Sequence, residues 1–285
     1  MNFLRKHWPV VVLGVLVFSN IFVWARVSAE RGNKILHVYF LDVGQGDAIL
    51  IDSPDHKQML IDGGRNRAVL SEIGKILPFG DRSIDMVLAT HPDADHIGGL
   101  PEVIQNYDVD LFIESGVESD NKIDDELKRE VEAKNIQTLI ARRGMIINFG
   151  DGVRLQILFP NQDVTNWETN RASIVAKLIY GDKSFLLTGD SPIPIENVLL
   201  NLDRETLDVD VLKAGHHGSR TSTSLSYAEA TSPKYAVISA GKDNSYGHPH
   251  KEVLDILEKV GAKIVSTIDS STIEFETDGK SLILK

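Results

Sequence analysis

"LATHPDADHIGGLPE", residues 88–102, is the stretch whose reading decides the fold. It sets His91, Asp93, Asp95 and His96 between an apolar run and a glycine pair. "IDMVLA" (84–89) predicts a buried strand, and "GGLPEVIQNY" (98–107) predicts a glycine-led helix. A rigid sheet presents side chains at its strand ends, where distant parts of a chain can converge. In a tight non-helical loop alternate residues point similarly, so His91, Asp93 and Asp95 face one point and His96 turns to a second. That arrangement suits two adjacent divalent ions, which can clamp the attacking and leaving oxygens of a displacement. The bland alternative is a solvated acidic turn with Asp95 as helix N-cap. The density of His and Asp before "GG" weighs against it.

Three more loops follow expected strand ends. "FLLTGD" (185–190) ends in Asp190, a carboxylate able to bridge two metals, although "TGD" is also an ordinary turn. "DVLKAGHHGSRTSTS" (210–224) carries Lys213, the pair His216–His217 and Ser219. Neutral imidazole is the commonest nitrogen ligand, and adjacent histidines are expected to point apart, one to metal and one to substrate. Lys213, His216, Ser219 and nearby backbone N–H groups suit phosphate oxygens. "NSYGHPH" (244–250) offers His248 to the site, with His250 equally readable as part of a capping loop.

Between these loops the pattern is layered α/β. Antiparallel strands are expected at 35–43, 48–53 and 59–64, with "GQGD" (44–47) as the turn between the first two. Helices at 68–77 and 124–135 alternate with strands at 109–115 and 136–141. The second half repeats the plan, from a strand at 153–160 to a closing hairpin turned at Asp278-Gly279. Periodicity alone supports mixed α/β.

Bulk properties narrow the function. The chain has 285 residues, a net charge of -11 and no cysteine. The charge argues against a broad basic face for nucleic acid. Without cysteine there is no disulfide-linked partner and no thiolate site, so any metal must sit on His, Asp, Glu or backbone oxygen.

The N-terminus suggests the compartment. Residues 1–7 form a basic n-region with Arg5 and Lys6. "WPVVVLGVLVFSNIFVWA" (8–25) is uncharged and about 27 Å long as a helix, close to the hydrocarbon core of a bilayer. Trp8 and Trp24 sit at its ends, where such rings prefer the interface. A transmembrane anchor at 8–25, a linker at 26–34 and one domain at 35–285 are expected. That places the protein in a bacterial cell membrane, single-pass, with the domain outside the cytoplasm. The rival is a cleaved signal sequence ending near "VSA" (27–29), which gives a secreted protein.

The ordered blocks "FLDVGQGDAILI", "LIDGG", "THPDADHIGG", "FLLTGD", "LKAGHHGS" and "YGHPH" resemble the metallo-β-lactamase superfamily. They are most similar to the C-terminal hydrolase domain of ComEC-type competence proteins, over residues 35–285. The resemblance implies an αββα sandwich, a dinuclear site and a metal-bound hydroxide as nucleophile. It places His91, Asp93, Asp95 and His96 on the first metal motif, Asp190 on the bridging carboxylate and His217 on a later metal position. It places His216 on the same metal and phosphate motif as His217, His248 on a C-terminal histidine and Asp62 on a supporting aspartate. With the loop reading of Lys213 and Ser219, the expected catalytic residues are His216, Lys213 and His248, and the supporting ones Asp62 and Ser219.

The chain departs from the wider superfamily in two ways. Asp93 stands where many members have histidine, and no histidine lies between His96 and Asp190, where the nearest substitute is Asn170–Ser173. Such an oxygen-rich set suits Mn²⁺ or Mg²⁺ more than a histidine-rich set, which favours Zn²⁺. The expected activity is a membrane-anchored phosphodiesterase or nuclease acting on nucleic acid or an envelope polymer, with competence machinery as an expected partner. An acyl, lactam or lactone hydrolase on the same fold is the second reading. A non-catalytic binding module with a degenerate site is the third.

Overall fold

The computed structural model describes residues 2–30 and 34–285. It divides into two compact units, Met1–Lys34 and Ile35–Lys285. The first is a helix, Asn2–Glu30, which continues past the expected end of the span at Ala25. Among the described residues no helix is long and apolar enough to cross a membrane. This departs from the expectation at 8–25. Pro9, Val10, Val23 and Ala25 of that run lie outside the described side chains, as do Arg5 and Lys6, and linker residues 31–33 are not described.

The second unit holds two sheets. β1 (Leu36–Phe40), β2 (Ile49–Asp52), β3 (Gln58–Ile61), β4 (Ser83–Leu88), β5 (Asp108–Glu114) and β6 (Gln137–Ile140) belong to the first. β7 (Ile146–Asn148), β8 (Arg154–Phe159), β9 (Val175–Tyr180), β10 (Lys183–Leu187), β11 (Val211–Lys213), β12 (Tyr235–Ile238) and β13 (Lys263–Ser266) form the second. The closing hairpin, β14 (Ile273–Thr277) and β15 (Leu282–Leu284), returns to the first sheet beside β1. β1, β2 and β3 pair antiparallel, and β3 to β6 run parallel. The second sheet repeats this change, with β8, β9 and β10 antiparallel and β10 to β13 parallel.

Strand alternation explains why the sheets stack. Met59 and Ile61 point into a cluster shared with Leu155, Ile157 and Phe185 of the other sheet. Leu60, between them, points outward to pack with Val69, Ile73, Leu100 and Val103 of the flanking helices. On the far side Leu186, Leu212 and Ala236 pack with Leu199, Tyr227 and Leu257 of the second helical layer. Three apolar layers between four structural layers make an αββα sandwich. β7 and the short helix Thr267–Ser270 are additions that the sequence pattern did not indicate.

Candidate metal centre

The site gathers at the ends of parallel strands. The loop after β4 is buried at His91 and His96, and Asn121 Nδ2 pins it by donating to Pro92 O at 2.9 Å. Asp93, not Asp95, occupies the N-cap position of the short helix Ala94–Ile97 and makes no capping bond. Asp95 is freed to face His217, with its Oδ2 3.5 Å from Nε2. Asp190, after β10, lies between the histidines. Its Oδ1 is 3.2 Å from His96 Nε2, and its Oδ2 is 4.0 Å from His91 Nε2. The Asn170–Ser173 segment reaches the site through Ser173, whose Oγ accepts from Asp190 N at 3.3 Å.

The paired histidines do not diverge as expected. His216 and His217 both take left-handed backbone angles, φ 48° and 55°. The resulting bend brings both Nε2 atoms to 3.5 Å from Asp190 Oδ2. His216 is held from behind by Thr221, whose Oγ1 lies 3.2 Å from Nδ1. Ser219 is buried and meets Thr221 Oγ1 at 3.0 Å, so it supports His216 at one remove. His248 rests 5.6 Å from the His216 ring, centroid to centroid. His250 caps the following helix and meets Arg220 rather than the centre.

The outer nitrogens of the inner histidines are held by Asp62 at His96 and by Ser239 O, 2.9 Å from Nδ1, at His217, with Asp47 beside the latter. Asp62, itself left-handed at φ 59°, accepts from Thr90 N, from Thr90 Oγ1 and from His96 Nδ1 at 2.7 Å. Asp47 Oδ1 lies 3.3 Å from His217 Nδ1. The sequence pattern gave Asp47 no role, because "GQGD" reads as a turn. Its signal was an acid at a strand entrance that ends fully buried. Asp47 also corrects the reading of Lys213. That ammonium was expected to hold phosphate, yet it is fully buried, 2.5 Å from Asp47 Oδ2 and 3.4 Å from Gly189 O. A buried cation needs a buried counter-charge, and Asp47 supplies it.

Asp47, His96, Asp190 and His217 form a buried group whose ligand atoms lie within 4.8 Å of one another. The imidazole directions sort this group into two layers. Nε2 of His96 and His217 faces Asp190, whereas their Nδ1 atoms face Asp62 and Asp47. A carboxylate behind a ligating histidine fixes its tautomer and orientation. Nε2 of His91, His96 and His217 and Oδ1 of Asp190 are buried with no hydrogen-bond partner. Each such orphan costs about 1–3 kcal/mol, so their convergence at one point fits a cation that accepts their lone pairs. Asp93 stands at the rim, 38% exposed and 3.7 Å from His91 Nε2.

Charge at the centre follows the same logic. Burial pushes the Asp190 carboxyl up, but His217 and His96 outweigh it and hold it well below the usual range. Burial likewise opposes the charged His217; Asp190 and Asp47 reverse this and raise it to about 9. His96 rises well above its ordinary value because Asp190 and Asp62 overcome burial. Burial and the neighbouring His96 push His91 down to about 3. Asp47 is held at about 2, where Lys213 and His217 outweigh burial. The imidazoles and carboxylates thus favour one another's charged forms, and a cation would compete with protons for the same nitrogens.

The comparisons agree with this fold. The profile of the Metallo-beta-lactamase superfamily matches residues 41–242. ComE operon protein 3 of Bacillus subtilis is 30% identical over 277 residues, 91% of this chain and 34% of that protein. Competence protein ComA of Neisseria gonorrhoeae is 30% identical over 273 residues, 95% of this chain and 35% of that protein. The chain therefore spans about a third of the length of these curated relatives. A metallo hydrolase from the archaeon Ignicoccus hospitalis superposes with a TM-score of 0.55 at 16% identity, over 86% of this chain and all of its own. With a matching profile across most of the two-sheet unit, the chain belongs to the Metallo-beta-lactamase superfamily.

Proposed function

We propose that the protein is a metal-dependent phosphodiesterase of the nuclease type, anchored in the bacterial membrane by its N-terminal helix with the hydrolase unit outside the cytoplasm. The observation that carries the chemistry is the convergence of orphaned Nε2 atoms from His91, His96 and His217 on Asp190. His91, Asp93 and Asp190 would hold one ion, and Asp95, His96, His217 and Asp190 a second. Mn²⁺ or Zn²⁺ is the proposed pair, with Mg²⁺ as the third choice. Bound divalent ions supply Lewis acidity and lower the pKa of water. Asp62 keeps His96 oriented and Ser239 O keeps His217 oriented, and the Lys213–Asp47 pair fixes the β11 end from behind. His216, partly exposed, and His248, buried beside it, flank the centre, with burial pushing His248 down to about 4. They are the groups placed to bind phosphate oxygens and to move a proton near the leaving group.

The anchor rests on the exposed apolar side chains of the first helix, Trp8 and Trp24 among them at 64% and 62%. In water such a surface is unfavourable, and a bilayer would cover it. Cleavage after the helix would give a secreted form instead. Similarity to competence proteins supports the competence machinery as a partner. The test is hydrolysis of bis-p-nitrophenyl phosphate by the full chain in detergent, with Mn²⁺, Zn²⁺ and Mg²⁺ in parallel. Activity that falls at least 100-fold in Asp95→Ala and Asp190→Ala is expected. Activity unchanged in both would remove the assignment. Turnover of a chromogenic lactam or lactone alone would move it to acyl chemistry, and less than one ion per chain would favour a binding module.

A further inference from the structure

The loop that delivers His248 also carries an exposed aromatic ring. Tyr246 is 55% exposed, and its ring lies 5.6 Å from that of His248 at an interplanar angle of 21°. The loop is fastened. Asn244 Oδ1 accepts from Tyr246 N at 3.2 Å and from His248 N at 2.9 Å. Asn244 Nδ2 donates to Gly241 O and His248 O at 2.8 and 2.7 Å. A tyrosine exposed on a pinned loop has already lost much of its freedom, so it gains more from a partner than a mobile one would.

The rings continue into the site. His248 is 5.6 Å from His216, whose Nε2 is 3.5 Å from Asp190 Oδ2. In the other direction the His248 ring lies 4.9 Å from His250, whose Nε2 meets Arg220 Nη2 at 3.1 Å. Arg220 N also donates to His250 Nδ1 at 3.2 Å. A neutral imidazole accepts at one nitrogen only, so His250 binds Arg220 through one of these two contacts and keeps the exposed Arg220 at the same rim. A planar apolar face and a guanidinium flanking one centre match a nucleotide, which couples a base to a phosphate.

We propose that Tyr246 is a stacking platform for the base beside the scissile phosphodiester, with Arg220 binding a flanking phosphate, so that the site selects nucleotidyl diesters. The inference rests on the phosphodiesterase reading and names its substrate class. A quaternary ammonium can also sit on an aromatic face, so a choline ester is the competing ligand that the test must separate from a nucleotide. Stacking also answers the net charge of -11. A π-face binds a base without a basic surface, so affinity for single strands should carry a shallow salt slope, near that of about one phosphate contact.

Three chromogenic diesters with one leaving group test this on the full chain: the p-nitrophenyl esters of thymidine monophosphate, phosphorylcholine and methyl phosphate. The thymidine ester is expected to exceed the methyl ester in kcat/KM by about tenfold, the scale of one base stack. Tyr246→Ala should collapse that ratio, and Tyr246→Trp should restore it. Arg220→Ala should weaken a thymidine dinucleotide more than the mononucleotide ester. Equal ratios in wild type and Tyr246→Ala, or a Tyr246-dependent preference for the choline ester, would overturn the proposal. Binding of a short oligothymidylate to Asp95→Ala and to Asp95→Ala/Tyr246→Ala provides a readout without turnover. Absent hydrolysis with Tyr246-dependent binding would defeat the phosphodiesterase reading and leave the platform. Equal binding by the two would defeat the platform.

Discussion

Asp62 and Asp47 touch the far side of the imidazoles, and their effect is read through His96 and His217. Removing a carboxylate behind a ligating histidine weakens metal by about 10–100-fold. Asp62→Ala is therefore expected to lower affinity by that factor, measured by competition with a chelating dye, while circular dichroism reports a retained fold. Unchanged affinity would mean that Asp62 only secures Thr90. The raised pKa of His217 adds a pH dependence. It stands at about 9 in the metal-free fold against an ordinary 6.5. Protonated His217 stabilises the metal-free fold fully below the ordinary value, and that contribution is lost as pH rises through about 9. The same proton opposes an ion. Metal affinity should climb across this window, and calorimetry near neutral pH should detect proton release on binding. A pH-independent affinity would show that neither histidine is protonated before the ion arrives.

At the scale of elements, the "GQGD" turn and the metal loop are one packed unit. Gly46 has φ +121°, and a Cβ there would lie 1.9 Å from the backbone oxygen of Asp95. Asp47 N donates to that same oxygen at 3.3 Å. Gly46→Ala is thus expected to destabilise by about 1–3 kcal/mol and to displace Asp95, seen as a lower denaturation midpoint with less bound metal. The glycines of "HIGG" have the same origin. A Cβ on Gly98 or Gly99 would meet Arg65 O at 2.2 Å or Gly63 O at 2.4 Å, so the metal loop closes against the end of "LIDGG" and the residue after it. These contacts explain what the sequence did and did not reveal. The β4 loop, Asp190 and the histidine pair were legible because each follows an apolar strand and carries a metal-binding group. Asp47 was hidden because a glycine-rich turn masks an acid that only tertiary packing buries. Lys213 was misread for the same reason, since local pattern puts it beside "GHHG" but cannot reveal the partner that β2 brings to it. The bend at His216–His217 was likewise out of reach, because left-handed angles at two consecutive histidines go against local preference and are imposed by the fold.

At the scale of the molecule, the apolar core belongs to residues 35–285. Each of the three large clusters begins at or after Leu36 and closes within the sandwich. The site draws its side chains from the same span, from Asp47 to His248. Among the described side chains of the N-terminal helix, by contrast, large apolar residues including Trp8, Leu13, Phe18 and Trp24 are exposed. The sandwich is held by burial within itself, and the proposed anchor role of the helix is tested by separating the two. Residues 35–285 expressed alone should remain monodisperse without detergent, unfold cooperatively and bind metal as tightly as the full chain. The full chain should require detergent or partition into liposomes, and a charged residue introduced at Leu16 should reduce that partition without moving the melting temperature of the sandwich. Aggregation of residues 35–285, or a melting temperature that falls with Leu16→Lys, would mean that the helix contributes to the core and does not act as an anchor.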